Sequence, residues 1–448
     1  MQASRLARHE PLGSRSQAYP GTPGFADMSL RFPRLLTYVA LPTFAVIAAL
    51  VTFELFASVL VRDGGSGSGE FLGVLLPPRQ VIPVQTRARV KPDEPFEELV
   101  VDGVRITKGD LWGIMREDPD VGHVPRENSS SVNGWWRSND LGARHDYDIA
   151  AGHAAQPGSS RLLVFGESFT QGSRLPQEDT WIYQMRAAYP ELDAVNFGVD
   201  GYGMAQSLLR YRAVSVRTQH DAVIFVFLPT ANLWRDINTI RSLAEPWHSF
   251  AVLPRFVPVS AGIELIRSPY SNVAEVFEAN QQGLSSGLRS HLQRYDRFYV
   301  RELYEPTALS AHFVTGKLVA AYLGKRNVQR IRHESFYEPD SEAWRTVRGI
   351  FAEAAAQAKS AGTRFAVVVM PTHDDVETAT RYPEFEEHWR RMVERLRDEG
   401  LTTIDILPDL AQVSSSLDYG YDGSHYGPVG SRHIASAVGK KLSSWMQE

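Results

Sequence analysis

The chain has 448 residues, of which 43% are hydrophobic and 22% charged, and a formal net charge of -5. At roughly 150 residues per domain this allows two or three units with a sizeable core, and the short basic run Lys325, Arg326, Arg330, Arg332 is too small a footprint for nucleic acid. Without cysteine, disulfides, thiolate catalysis and thiolate-bound zinc are all excluded.

Residues 1–34 are rich in Gly, Pro, Ser and Arg without periodicity and are expected to be a disordered cytoplasmic tail. Residues 35–61 are apolar apart from Thr37, Tyr38, Thr43, Thr52, Glu54 and Ser58. At about 1.5 Å per residue a helix of this length crosses a hydrocarbon core of roughly 30 Å. The run exceeds a signal-peptide core, so a retained transmembrane anchor is expected. Arg5, Arg8, Arg15, Arg31 and Arg34 precede it and Asp63 and Glu70 follow Arg62, which predicts a cytoplasmic N-terminus and an extracytoplasmic remainder. The Gly64–Gly69 run predicts a flexible linker over residues 62–81. Residues 82–158 read as an irregular extension of the following domain. Its landmark is the stretch from Val132 to Arg144, whose Trp135 and Trp136 are expected to pack rather than to stack on sugars.

Strands are predicted at Arg161–Phe165, Ala194–Phe197, Ala222–Leu228 and Phe365–Met370, and helices at Trp181–Ala188 and Ala343–Ser360. Residues 237–339 are too long for a connection and predict a helical cap, with Leu309 to Leu323 packing amphipathically over the site. His373-Asp374-Asp375 has no second histidine at ligand spacing and reads as a loop at the site rim, with no metal and no cofactor expected.

Four motifs carry chemistry. Gly166-Glu167-Ser168 follows a buried strand, so the Ser168 hydroxyl stands at its carboxyl end, where open α/β sheets place ligands. Near the chain's end, Asp422 and His425 are spaced so that a carboxylate holds one imidazole nitrogen while the other faces a serine. Between them, Gly198-Val199-Asp200-Gly201 offers backbone N–H groups, and Asn232, after an apolar strand, offers an amide to a developing oxyanion.

This order of Gly-x-Ser, glycine turn, strand-exit Asn and Asp-x-x-His resembles the SGNH, or GDSL-type, hydrolase superfamily across roughly residues 159–444. The Asn139-x-x-Gly142-x-Arg144 segment is similar to the lead-in of its membrane-anchored members. The resemblance implies a three-layer α/β/α catalytic domain over 159–448 with a mainly parallel sheet. It further implies Ser168 as nucleophile, Asp422 and His425 as its partners, and an oxyanion hole from Ser168, Gly201 and Asn232. Two departures stand out: Glu167 replaces the usual Asp, and Leu233 stands where Asp is common, for which Asp236 is expected to compensate. The implied activity is hydrolysis of O-acyl, chiefly O-acetyl, esters on an envelope or exported polysaccharide. The same triad serves O-acetyl transfer from a membrane acyl-donor protein, and the same fold serves polysaccharide binding without catalysis.

Overall fold

The computed structural model describes residues 31–63, 68–82, 98–101, 104–107, 114–131, 133–150, 155, 157–245, 251–420 and 423–448. It divides into two units, Met1–Leu60 and Val61–Glu448. In the first, α1 (Arg31–Leu60) is one helix, and its stretch Tyr38–Leu60 is long and apolar enough to cross a membrane. Thr43 and Thr52 donate their hydroxyls back to the Val39 and Ala48 carbonyls, so both donors are satisfied within the helix. Helix α1 takes in Arg31–Arg34, which were expected in the tail; residues 1–30 lie outside the described residues.

The second unit starts sooner than the glycine-serine run suggests. β1 (Arg62–Asp63) pairs antiparallel with β2 (Gly69–Phe71), which pairs with β3 (Val74–Leu75), where a free linker was expected. Buried Phe71 and Leu76 anchor this small sheet, a packing signal that composition alone conceals. Two hairpins follow, β4 (Glu98–Val101) with β5 (Val104–Thr107) and β6 (Met115–Asp118) with β7 (Gly122–Pro125).

The core is a five-stranded parallel sheet. Its strands are β8 (Ser160–Phe165), β9 (Leu192–Asn196), β10 (Ala222–Phe227), β13 (Arg364–Val369) and β14 (Thr403–Asp405), while β11 (Arg255–Val259) and β12 (Gly262–Ile266) make a separate hairpin. The order β14-β13-β10-β8-β9 places β8, which leads into Ser168, between β10 and β9. All six residues of β10 are buried, the near-continuous apolar pattern of a strand covered on both faces.

The helices that first follow these strands are α2 (Ser168–Gln171), α3 (Trp181–Ala188), α4 (Met204–Ser215) and α5 (Pro229–Arg235). The insertion supplies α6 (Arg241–Ala244), α7 (Val273–Ala279), α8 (Ser286–Tyr295), α9 (Arg301–Tyr304), α10 (Ala308–His312) and α11 (Val314–Tyr337). The fold ends with α12 (Glu342–Ser360), α13 (His373–Arg381), α14 (Pro383–Asp398), α15 (Leu407–Gln412) and α16 (Pro428–Gln447). Helices cover both faces of the sheet. On one, α4 packs with α12, and Phe165 and Phe225 meet Tyr211 while Phe227 meets Phe351; elsewhere α3 packs against α16 and β9. The expected three-layer α/β/α architecture is therefore present. The insertion differs from a simple cap: α11 packs on α5 and α12, β11 packs on α4 and α12, and its first turn reaches the residues around Ser168.

Candidate active site

Strand β8 ends at Phe165, and α2 opens immediately with Ser168 as its first residue. That position leaves the Ser168 N–H, like those of any first helical turn, without an intrahelical acceptor. Glu167 caps this short helix by accepting from the Phe169 N–H at 3.0 Å. The Ser168 hydroxyl donates to Glu167 Oε2 at 2.7 Å and lies 2.8 Å from His425 Nε2, so its oxygen stands between a carboxylate and an imidazole. Burial pushes the Glu167 carboxyl up, opposed by Arg235, by the Ser168 hydroxyl and by His425. Burial likewise pushes the His425 imidazole below its ordinary value, with Asp200 and Glu167 acting the other way.

His425 is brought to Ser168 across 257 positions of sequence by a well-fastened turn. Its carbonyl accepts from Gly420 N–H at 2.7 Å, Tyr419 bridges Tyr426, and the Tyr426 hydroxyl donates to the Pro371 carbonyl at 3.0 Å. Asp418 accepts from the N–H groups of Val429 and Gly430, which caps α16 directly behind the histidine. The Phe169 ring lies over the imidazole at 4.6 Å. His373, predicted at the site rim, opens α13 and meets the Gly423 carbonyl through Nδ1 at 3.3 Å, while Asp375 is absorbed in the capping box with Thr372. The expected histidine partner Asp422 lies outside the described residues; Ser424 Oγ stands 3.2 Å from His425 Nδ1.

Gly201 and Asn232 meet at the intervening residue Tyr202. The Asn232 amide donates to the Tyr202 carbonyl at 3.3 Å, and its oxygen accepts from Leu228 N–H at 2.7 Å. Gly201 has φ +77°, a left-handed conformation that glycine adopts without penalty. Its N–H has no internal acceptor among the described residues, while its carbonyl accepts from Arg241 at 3.1 Å. Asp236, which was expected to compensate for the missing acid at 233, is buried at the end of α5. Its carboxylate accepts from Met204 and Ala205 N–H, both at 2.8 Å, which ties the end of α5 to the start of α4 beside the glycine turn.

Three supports hold this arrangement, and the sequence assigned none of them its role. Arg235 sits between Glu245, at 2.9 Å, and Glu167, at 3.7 Å, all three buried, so the insertion is ionically coupled to the residue beside Ser168. Arg144 of the lead-in is buried and donates to the carbonyls of Gln171, Gly172, Leu175 and Trp135 at 2.6–2.9 Å. Burial pushes its guanidinium down to about 9, which still leaves it charged at neutral pH. It thereby closes the carboxyl end of the helix that Ser168 opens. Asn196, the last residue of β9, accepts from Gly198 N–H at 2.9 Å, and a Cβ on Gly198 would stand 2.4 Å from the Gln171 nitrogen, so only glycine lets this turn lie against α2. The signal for Arg144 was its place in the lead-in; Arg235 and Glu245 lie outside any motif.

No family model matches the sequence, and no curated protein matches it. Solved structures do. A lipolytic protein of the G-D-S-L family from Veillonella parvula is 11% identical, with 63% of this chain and 98% of that one covered at a TM-score of 0.28. An acetylxylan esterase from Geobacillus stearothermophilus is 12% identical over 64% of this chain and 95% of its own, at a TM-score of 0.31. A psychrotrophic esterase from a Pseudoalteromonas species is 9% identical, covering 65% and 100%, at 0.30.

Proposed function

We propose that this protein is a serine ester hydrolase acting on O-acyl, chiefly O-acetyl, esters of an envelope or exported polysaccharide. The observation that carries the reading is the 2.8 Å contact between Ser168 Oγ and His425 Nε2, at the carboxyl edge of a parallel sheet. His425 takes the hydroxyl proton as Ser168 Oγ attacks the ester carbonyl. The N–H groups of Ser168 and Gly201 and the amide of Asn232 receive the oxyanion. His425 returns the proton to the departing sugar oxygen, leaving an acyl-serine; water then adds through the same base and releases the acid and free Ser168. Asp422 is assigned to orient His425 and to stabilise its charged form. The polysaccharide assignment draws on the apolar helix α1 and the arginines before it, which together support an anchored enzyme facing outward.

The test is acetate release by the detergent-solubilised full chain from acetylated polysaccharides and a chromogenic acetyl ester, beside Ser168→Ala. Hydrolysis that the substitution lowers by about 10⁴-fold or more supports the reading. Undiminished turnover removes Ser168 from the mechanism. Acetyl groups accumulating on an added sugar acceptor would assign transfer instead, and glycan binding without either product would assign a binding protein.

A further inference from the structure

The insertion presents an apolar surface that nothing in the described fold covers. On α10 and α11, Leu309, Phe313, Val319, Tyr322 and Leu323 are 66, 47, 53, 65 and 42% exposed. Val319, Tyr322 and Leu323 share one helical stripe, and the same stripe continues through exposed Arg326 and Arg330. Among the described residues Arg330 pairs with Glu334, at 3.7 Å. From residue 306 to 333 there is no acidic residue, while Lys317, Lys325, Arg326, Arg330 and Arg332 all fall there. In a chain of net charge -5 this is a strong local segregation of charge.

A second element adds to the same surface. Strand β3 packs against α11, and the β2–β3 turn puts Leu72 at its tip, 77% exposed and at φ +48°. A leucine held left-handed in water is both strained and poorly hydrated, a combination that persists where a contact repays it. In the sequence, Val61 alone separates the last residue of α1 from β1, so the helix apolar enough to cross a membrane hands the chain straight to this sheet.

We propose that the face formed by α10, the first half of α11 and the β2–β3 turn docks on the surface of the membrane that α1 enters, its apolar residues entering the headgroup boundary and Lys325, Arg326 and Arg330 meeting anionic headgroups. Apolar residues grading into basic ones along a single helix are what an interfacial segment needs for a bilayer carrying negative charge. A basic flank next to an apolar stripe favours an anionic partner, and the covalent neighbour of this surface is the helix long and apolar enough to cross a membrane. The inference rests on the membrane reading of α1, not on the reaction at Ser168.

The absence of cysteine makes the test direct, since one introduced thiol is a unique attachment point. The full chain, labelled with an environment-sensitive fluorophore at Tyr322→Cys, Leu72→Cys or the exposed control Asp398→Cys, is reconstituted in vesicles of phosphatidylcholine alone or mixed with phosphatidylglycerol. Acyl-chain nitroxide lipids should quench the labels at 322 and 72 several-fold more than the label at 398. Phosphatidylglycerol should increase the difference, and adding Lys325→Glu and Arg326→Glu should reduce it. Equal quenching at all three sites overturns docking, as does a 322 label quenched by a nitroxide on a second copy of the chain instead of by lipid. Alkaline extraction reads the anchor separately: a chain stripped from the vesicles removes both readings, whereas a retained chain with unquenched labels removes docking alone.

Discussion

Ser168 Oγ lies at nearly equal distance from Glu167 Oε2 and His425 Nε2, and the proposed reaction needs its proton on the histidine side. His425 must therefore be neutral, and its burial lowers the pH at which it charges. The acid limb of kcat/KM for acetyl-ester hydrolysis is accordingly expected below the ordinary histidine value of 6.5, and a limb at or above 6.5 would contradict the buried setting of His425. Asn232 carries two jobs, an amide donor beside the glycine turn and an acceptor for Leu228 N–H. Asn232→Ala should lower kcat by about 10²–10³ with KM little changed, and should cost about 1–3 kcal/mol of stability through the orphaned Leu228 donor. A rise in KM at constant kcat would instead make Asn232 a substrate-binding residue. Arg235 is different in kind. Removing it leaves Glu167 and Glu245 buried without their shared cation, so Arg235→Met is expected to destabilise by roughly 3–5 kcal/mol in chemical denaturation.

At the scale of elements, the short helix α2 has too few residues to stand alone, and its geometry comes from its two ends. Glu167 caps the start; Arg144 collects the carbonyls at the finish. Arg144→Lys keeps the charge but offers a point ammonium in place of a planar fork with five donors. It should lower kcat more than KM and shift the denaturation midpoint downward, and a variant with wild-type kcat would show that α2 holds its place without the clamp. The strands around the site were legible because their apolar runs lie within one or two residues of β8, β9, β10 and β13, and a parallel strand buried on both faces announces itself. Ser168 and His425 were legible as motifs. Arg235 and Glu245 were not, because an ion pair between a helix end and an insertion has no fixed spacing in sequence. The β1–β2 pairing was hidden for a related reason: the glycine-serine composition between Arg62 and Gly69 carries no pairing signal, and the buried anchors of the sheet, Phe71 and Leu76, lie beyond it.

Across the whole molecule, groups the fold keeps neutral contribute to the pH dependence of folding. His145 is buried beside Arg161 and Arg186, and burial first, then these two cations, hold its imidazole well below 6.5. Arg186 reaches its Nδ1 at 3.3 Å, so the ring proton sits on Nε2, facing Asp193 at 3.8 Å. Below pH 6.5 the unfolded chain takes up a proton at this position and the folded chain refuses it. The unfolded state then binds more protons, so stability rises with pH and falls as pH drops, by up to about 1.4 kcal/mol per pH unit for one refused proton. The loss begins at the unfolded value of 6.5 and continues downward, because the folded value lies lower. Buried Glu167 and Asp236 are shifted in the opposite direction and act with opposite sign, so the total slope belongs to no single residue. The informative quantity is a difference of slopes. His145→Asn removes the titrating group, and the dependence of its unfolding free energy on pH between 6.5 and 5.5 should be flatter than that of the parent chain, whatever the offset between them. Parallel curves would mean that His145 accepts its proton in the folded state, which would require Asp193 to turn from Arg161 and Tyr147 toward the imidazole.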